Sequence, residues 1–130
     1  DVETKGGGTF IAADSPAHVA QKLLKHPEGI EPGTFDFPSI IQKCQDFREL
    51  VGKAGDLYLI HPYMLHTSSA NHSSQPRVMS NPPVVLKEPL RLDRKQANLS
   101  LLEETTLRFL GTDFIPPPKS ARAAYWWEVA

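Results

Sequence analysis

The sequence predicts a mainly β domain with flanking helices, closed as a barrel or a sandwich. Three observations predict it. Short apolar, β-prone runs recur along the chain, among them Thr9-Phe10-Ile11-Ala12, Leu57-Tyr58-Leu59-Ile60 and Val84-Val85-Leu86. Turn-forming residues separate them at short intervals, the spacing of small all-β architectures. Two segments with helical periodicity and recognisable end signals lie outside this central block.

In chain order, Gly6-Gly7-Gly8 reads as a flexible turn and Thr9 to Ala12 as a strand. Asp14-Ser15-Pro16 signals a helix start, with a capping side chain and then a proline in the first turn, where its missing N–H costs nothing. Val19, Leu23 and Leu24 recur at helical spacing, and His26-Pro27-Glu28-Gly29 ends that helix. Gly33 to Phe37 is loop, and Pro38 to Cys44 holds one or two further helical turns. Phe47 and Leu50-Val51 begin a strand. Gly52 to Asp56 turns the chain, and Leu57 to Ile60 is expected as a buried strand that Met64-Leu65-His66 continues after Pro62. Ser68 to Pro76 forms a turn, from which Arg77-Val78-Met79 returns as a strand. Pro82-Pro83 interrupts, and Val84 to Leu86 resumes. In the tail, Ser100 and Glu103 form a capping box, Leu101 or Leu102 with Thr105 and Phe109 gives an apolar face, and Gly111 stops the helix. Pro116-Pro117-Pro118 is a stiff spacer before the aromatic cluster Tyr125-Trp126-Trp127.

Composition narrows the function classes. Fourteen basic and fifteen acidic residues leave a net charge of −1 with no long run of either sign, which argues against nucleic acid and membrane surfaces as partners. No apolar run approaches a membrane span. The single cysteine, Cys44, rules out an intrachain disulfide and fits a reducing, cytoplasmic setting. The chain opens at Asp1 without a methionine, inside what reads as continuing structure, so a longer protein is expected upstream.

The chemistry concentrates in HPYMLHTSSANHSSQPR, residues 61–77. His66 follows an apolar run at the edge of a polar turn, where a neutral imidazole could ligate a metal; a hydrogen-bonded, half-buried histidine is the commoner alternative. Arg77 lies eleven residues on. With the turn centred near Asn71-His72, the two would face each other across an antiparallel pair, about 5 Å apart at Cβ. The guanidinium fork could grip a metal-bound acid's far carboxylate, with Ser68, on the same strand face as His66, donating to it. A surface ion pair is the ordinary alternative for Arg77. His61 has the wrong parity to share a metal with His66, His72 sits in the turn, and His18 is expected on the outer side of the first helix. Cys44, without a visible histidine or carboxylate companion, reads as a small core residue. Hydrolase-elbow and His-Glu-x-x-His motifs are absent, and Lys5-Gly6-Gly7-Gly8-Thr9 lacks the ending of a phosphate loop.

Gly55-Asp56-Leu57-Tyr58-Leu59-Ile60-His61, then Leu65-His66-Thr67-Ser68, Asn71 and Arg77, together with Gly7-Gly8-Thr9-Phe10-Ile11, resemble the C-terminal half of a phytanoyl-CoA dioxygenase-like protein, one of the non-haem iron and 2-oxoglutarate dioxygenases. The resemblance covers roughly residues 1–90. It implies a partial double-stranded β-helix, a jelly-roll, cupin-like barrel. It implies His66 as the second iron-binding histidine, and Arg77 with Ser68 as the 2-oxoglutarate site. Iron would sit on two histidines and one carboxylate. The family's His-x-Asp motif, which precedes the Gly-Thr strand, has no counterpart in Asp1 to Gly6. His26-Pro27-Glu28 comes after that strand at a helix end and is a decoy.

The resulting expectation is a two-part chain. Residues 1–95 form the C-terminal half of a jelly-roll dioxygenase domain, and residues 96–130 a helical and aromatic extension packed on it. It would act on a small-molecule substrate with Fe(II) and 2-oxoglutarate, be inactive as a fragment, and leave room for a homo-oligomer. The alternative is a non-catalytic jelly-roll binding module or degenerate relative. A weaker third reading is a structural half-barrel whose open edges a partner chain covers.

Overall fold

A computed structural model describes residues 1–26, 29–31, 33–80, 82, 90–94 and 98–116. The expected strand at Val84-Val85-Leu86, the aromatic cluster Tyr125-Trp126-Trp127, Pro83, Pro117-Pro118 and the Pro27-Glu28 pair lie outside them. The elements run β1 (Thr9–Ala12), α1 (Ser15–Leu24), α2 (Phe37–Ile41), β2 (Phe47–Leu50), β3 (His66–Ser68) and α3 (Leu101–Leu110). The strands form one antiparallel sheet in the order β2-β1-β3. Among the described residues this sheet does not close into a barrel. No helix among them is long and apolar enough to cross a membrane.

The glycine run before β1 is a packing device rather than a loose turn. Gly7 sits at φ 80°, in the left-handed region, and a Cβ there would stand 2.9 Å from the Asn71 side chain. A Cβ on Gly8 would collide with the Leu50 carbonyl oxygen. Only residues without side chains let β1 lie so close to both neighbours. Glu49 secures the junction by accepting the N–H groups of Lys5 (2.9 Å) and Gly8 (3.3 Å).

α1 begins where the sequence places it, with Pro16 in the first turn, but Asp14 does not cap it. Its Oδ2 instead accepts the Gln45 N–H at 2.8 Å, joining the end of β1 to the turn after α2. Val19 and Leu23 are buried as expected, whereas Leu24 is partly exposed. With Ala12, Ile40, Cys44, Tyr63 and Leu90 they make one core. α3 packs against α1. Its N-terminus carries the expected capping box, and Gly111 (φ 67°) closes it in the left-handed conformation. Leu102 and Phe109 pack against the core as the sequence pattern expects, but the most buried positions lie beside them. Glu103, Thr106 and Leu107 are buried, and Leu101 is 77% exposed. Glu103 turns inward because its carboxylate accepts the backbone N–H groups of Ser100 (2.7 Å) and Arg91, a demand that apolar periodicity does not register.

Leu57 to Ile60 departs furthest from expectation. It is not a strand, and Leu57 and Leu59 are 88% and 80% exposed. Arg77-Val78-Met79 is likewise outside any strand, with Val78 91% exposed. An apolar run is buried as a strand only where another strand or helix covers it, and none of the described elements does so here.

Candidate functional site

β3 is held against β1 by ladder register, with Thr9 opposite Ser68, Phe10 opposite Thr67 and Ile11 opposite His66. Paired residues of adjacent strands point to the same side. Thr9, Ile11, His66 and Ser68 therefore share one face of the sheet, and Phe10, Ala12 and Thr67 the other. Ala12 belongs to the core shared with the helices, so His66 and Ser68 lie on the opposite face. Both are exposed.

The residue before His66 is fixed at both backbone groups. Ala12 N–H donates to the Leu65 carbonyl (3.0 Å), and Leu65 N–H donates to the hydroxyl of Ser15 (2.8 Å). Ser15 is fully buried at the start of α1, so it ties the helix to the strand that presents His66. In the sequence Ser15 reads only as part of a helix start; its place beside the cap of a buried helix is the one signal for this role.

His66 Nδ1 lies 3.0 Å from the Met64 carbonyl oxygen. A carbonyl can only accept, so Nδ1 carries the proton and Nε2 is the lone-pair nitrogen. That is how a metal-ligating imidazole is oriented by a backbone partner.

Arg77 does not face His66 across a hairpin, because the partner of His66 is Ile11 on β1. Asn71 bridges to Gly6, and the chain turns through Ser73 to Gln75, where Asn71 Oδ1 accepts from Ser73 N–H (2.9 Å) and its amide donates to the Gln75 carbonyl (2.8 Å). The returning segment reaches the sheet at Met79, whose sulfur accepts from Thr9 Oγ1 at 3.6 Å and contacts the Arg77 guanidinium. Thr9 is the partner of Ser68. Arg77 thus approaches the His66–Ser68 face through Met79 and Thr9. Neither described cleft, one beside His26 and one beside Gly111, is lined by His66, Ser68 or Arg77.

His61 is a packing residue. Its ring stacks edge-on against Tyr63 and Phe109, and burial lowers its pKa. His72 is exposed in the turn, donating its N–H to Lys5. Among the described residues His66 belongs to no group of three potential metal ligands. The one grouping of three potential metal ligands among the described residues is Asp14, His18 and Cys44. Cys44 therefore has the companions its sequence context did not reveal, and His18 is half-buried among them.

A three-stranded antiparallel sheet backed by helices, with an oriented imidazole on its far face, is an α+β unit carrying part of a polar site. Residues 20–79 match the family model for phytanoyl-CoA dioxygenase, a span that includes His66, Ser68 and Arg77, and over it the chain is phytanoyl-CoA dioxygenase-like. Neither the search of curated proteins nor that of solved structures finds a match.

Proposed function

We propose that this chain carries half of the centre of an iron- and 2-oxoglutarate-dependent dioxygenase, an oxidoreductase that hydroxylates an organic substrate within a jelly-roll barrel. The observation that supports it most is the fixed tautomer of His66 on the face it shares with Ser68, inside the stretch that matches the family. His66 Nε2 would ligate iron. Arg77 would bind the distal carboxylate of 2-oxoglutarate through its guanidinium fork, assisted by the Ser68 hydroxyl. With iron bound there, dioxygen would be the oxidant for the C–H bond, and 2-oxoglutarate the reducing co-substrate released as succinate and carbon dioxide.

The described residues fit this centre in kind and fall short in number. A facial triad needs two histidines and a carboxylate, of which His66 would be one; among the described residues His66 belongs to no group of three potential metal ligands. The other two would have to come from a His-x-Asp segment outside these residues. The test is made on protein that carries such a segment. Iron-dependent release of succinate from 2-oxoglutarate should disappear in His66→Ala, and Arg77→Ala should raise the KM for 2-oxoglutarate by roughly 10- to 100-fold, the worth of hydrogen bonds to a charged group. Undiminished turnover in His66→Ala would overturn the reading. Absence of turnover from the unaltered protein would favour the non-catalytic binding module.

A further inference from the structure

Away from the His66 face, the end of β1, the first turn of α1 and the end of α2 converge on three side chains. One carboxylate oxygen of Asp14, one imidazole nitrogen of His18 and the sulfur of Cys44 all lie within 4.8 Å of one another. Asp14 and His18 are one helical turn apart, so they project from the same side of the helix start. Cys44 is brought to them by the turn that follows α2, whose next residue, Gln45, is hydrogen-bonded to Asp14 Oδ2. Asp14 Oδ1 is sealed from solvent and has no hydrogen-bond partner among the described residues. Asp14 is held ionised, chiefly by the Gln45 N–H, so an oxygen left without a donor favours a nearby cation. The Cys44 thiol is the donor nearest to this carboxylate, and its Sγ also lies 3.4 Å from the Ile40 carbonyl, which competes for the same proton.

We propose that Asp14, His18 and Cys44 form a binding site for a thiophilic divalent metal ion of the zinc class. The donor set decides the class. Thiolate and imidazole select zinc and its borderline-soft neighbours, whereas calcium and magnesium need several oxygens. The charges also balance, because a thiolate and a carboxylate neutralise a dication with a neutral imidazole as third ligand. Ligands of a tetrahedral zinc stand about 3.5 Å apart, so closure needs only roughly an ångström of side-chain movement. Binding displaces the Cys44 proton to solvent, gives Asp14 Oδ1 its missing partner, and clamps the start of α1 to the end of α2. The site is independent of the iron reading, since none of its residues lies on the His66 face.

Cobalt(II) titrated into the metal-free 130-residue chain should give one ion per chain, with a near-ultraviolet thiolate-to-metal band and tetrahedral visible bands. Zinc should bleach both. The thiolate band should vanish in Cys44→Ser, weaken at least about tenfold in apparent affinity in His18→Gln, and be unchanged in His66→Ala. No thiolate band, or a band indifferent to His18→Gln, overturns the site. If Cys44→Ser fails to fold, the wild-type chain still decides. Cys44 is the only cysteine, and stoichiometric zinc should slow its alkylation at least about tenfold. An unchanged alkylation rate overturns the proposal.

Discussion

The ring Nε2 of His61 lies 3.3 Å from the hydroxyl of Thr106, bridging the segment before β3 to the buried face of α3. Tyr63 N–H donates to His61 Nδ1 at 3.1 Å, so Nδ1 must accept and Nε2 must carry the proton. The proton on Nε2 goes to Thr106, whose own hydroxyl donates to the Leu102 carbonyl at 2.8 Å. A second proton on the ring would set Nδ1–H against Tyr63 N–H, and burial opposes it as well, holding the pKa below its ordinary value of 6.5.

Stability should therefore depend on pH near neutrality. The folded chain binds fewer protons at His61 than the unfolded chain, so its contribution is complete above pH 6.5 and is lost as pH falls through 6.5 towards the lowered folded value. Thermal midpoints measured from pH 8 to pH 5 should decline across that interval. His61→Phe, which keeps the aromatic packing and cannot titrate, should flatten the decline; an identical slope in both proteins would refute the account.

Ser15→Ala should cost about 1–3 kcal/mol, since it strands the Leu65 N–H beside a buried helix start. The same change should disturb the imidazole of His66, because Leu65 is the residue that sets its position. Chemical denaturation gives the first effect. A histidine NMR shift at His66, larger than that at His72, gives the second.

Gly8→Ala should destabilise by about 2 kcal/mol or more, because β1 and β2 must separate to admit the methyl group. Gly55→Ala is a useful contrast. Its φ of 97° is strained for alanine, but nothing lies within 4 Å of a Cβ there, so the cost is conformational alone, about 1 kcal/mol. Equal losses at the two positions would show that the close approach at Gly8 is not what matters.

Glu103 gives a second, lower pH window. Burial opposes its charge, but the N–H groups of Ser100 and Arg91 and the Ser100 hydroxyl outweigh this and hold its pKa below 4.5. A depressed carboxylate contributes stability that is present above the unfolded value and lost as pH falls through the folded one. Glu103→Gln should remove this acid-side loss while lowering stability at neutral pH by about 1–2 kcal/mol. A pH profile below 4.5 that Glu103→Gln leaves unaltered would contradict the assignment.

What the sequence made legible is local. Ser100, Glu103 and Gly111 sit at fixed offsets around one helix, and their signals need nothing from the rest of the chain. His66 with Ser68 followed from strand parity and holds as a shared face. What it concealed depends on contacts distant in sequence. The pairing of β3 with β1 rather than with the Arg77 segment, the role of Ser15 beneath Leu65, and the meeting of Asp14, His18 and Cys44 all require the fold to be known first. The Asp14 carboxylate leaves the helix start uncapped for the same reason, since its partner Gln45 lies across the loop.

Leu57 and Leu59 turn that distinction into a measurement. A compact apolar run reads as a buried strand, yet both side chains meet solvent in this chain. A leucine already in water gives up no burial when replaced, so Leu57→Ser with Leu59→Ser should change stability by less than about 0.5 kcal/mol. Two exposed leucines beside an unladdered backbone are also a template for edge-to-edge association, so the same pair of changes should reduce self-association in sedimentation or light scattering. A loss of several kcal/mol would mean that these leucines are buried in solution, and that the run does form the strand its sequence predicts.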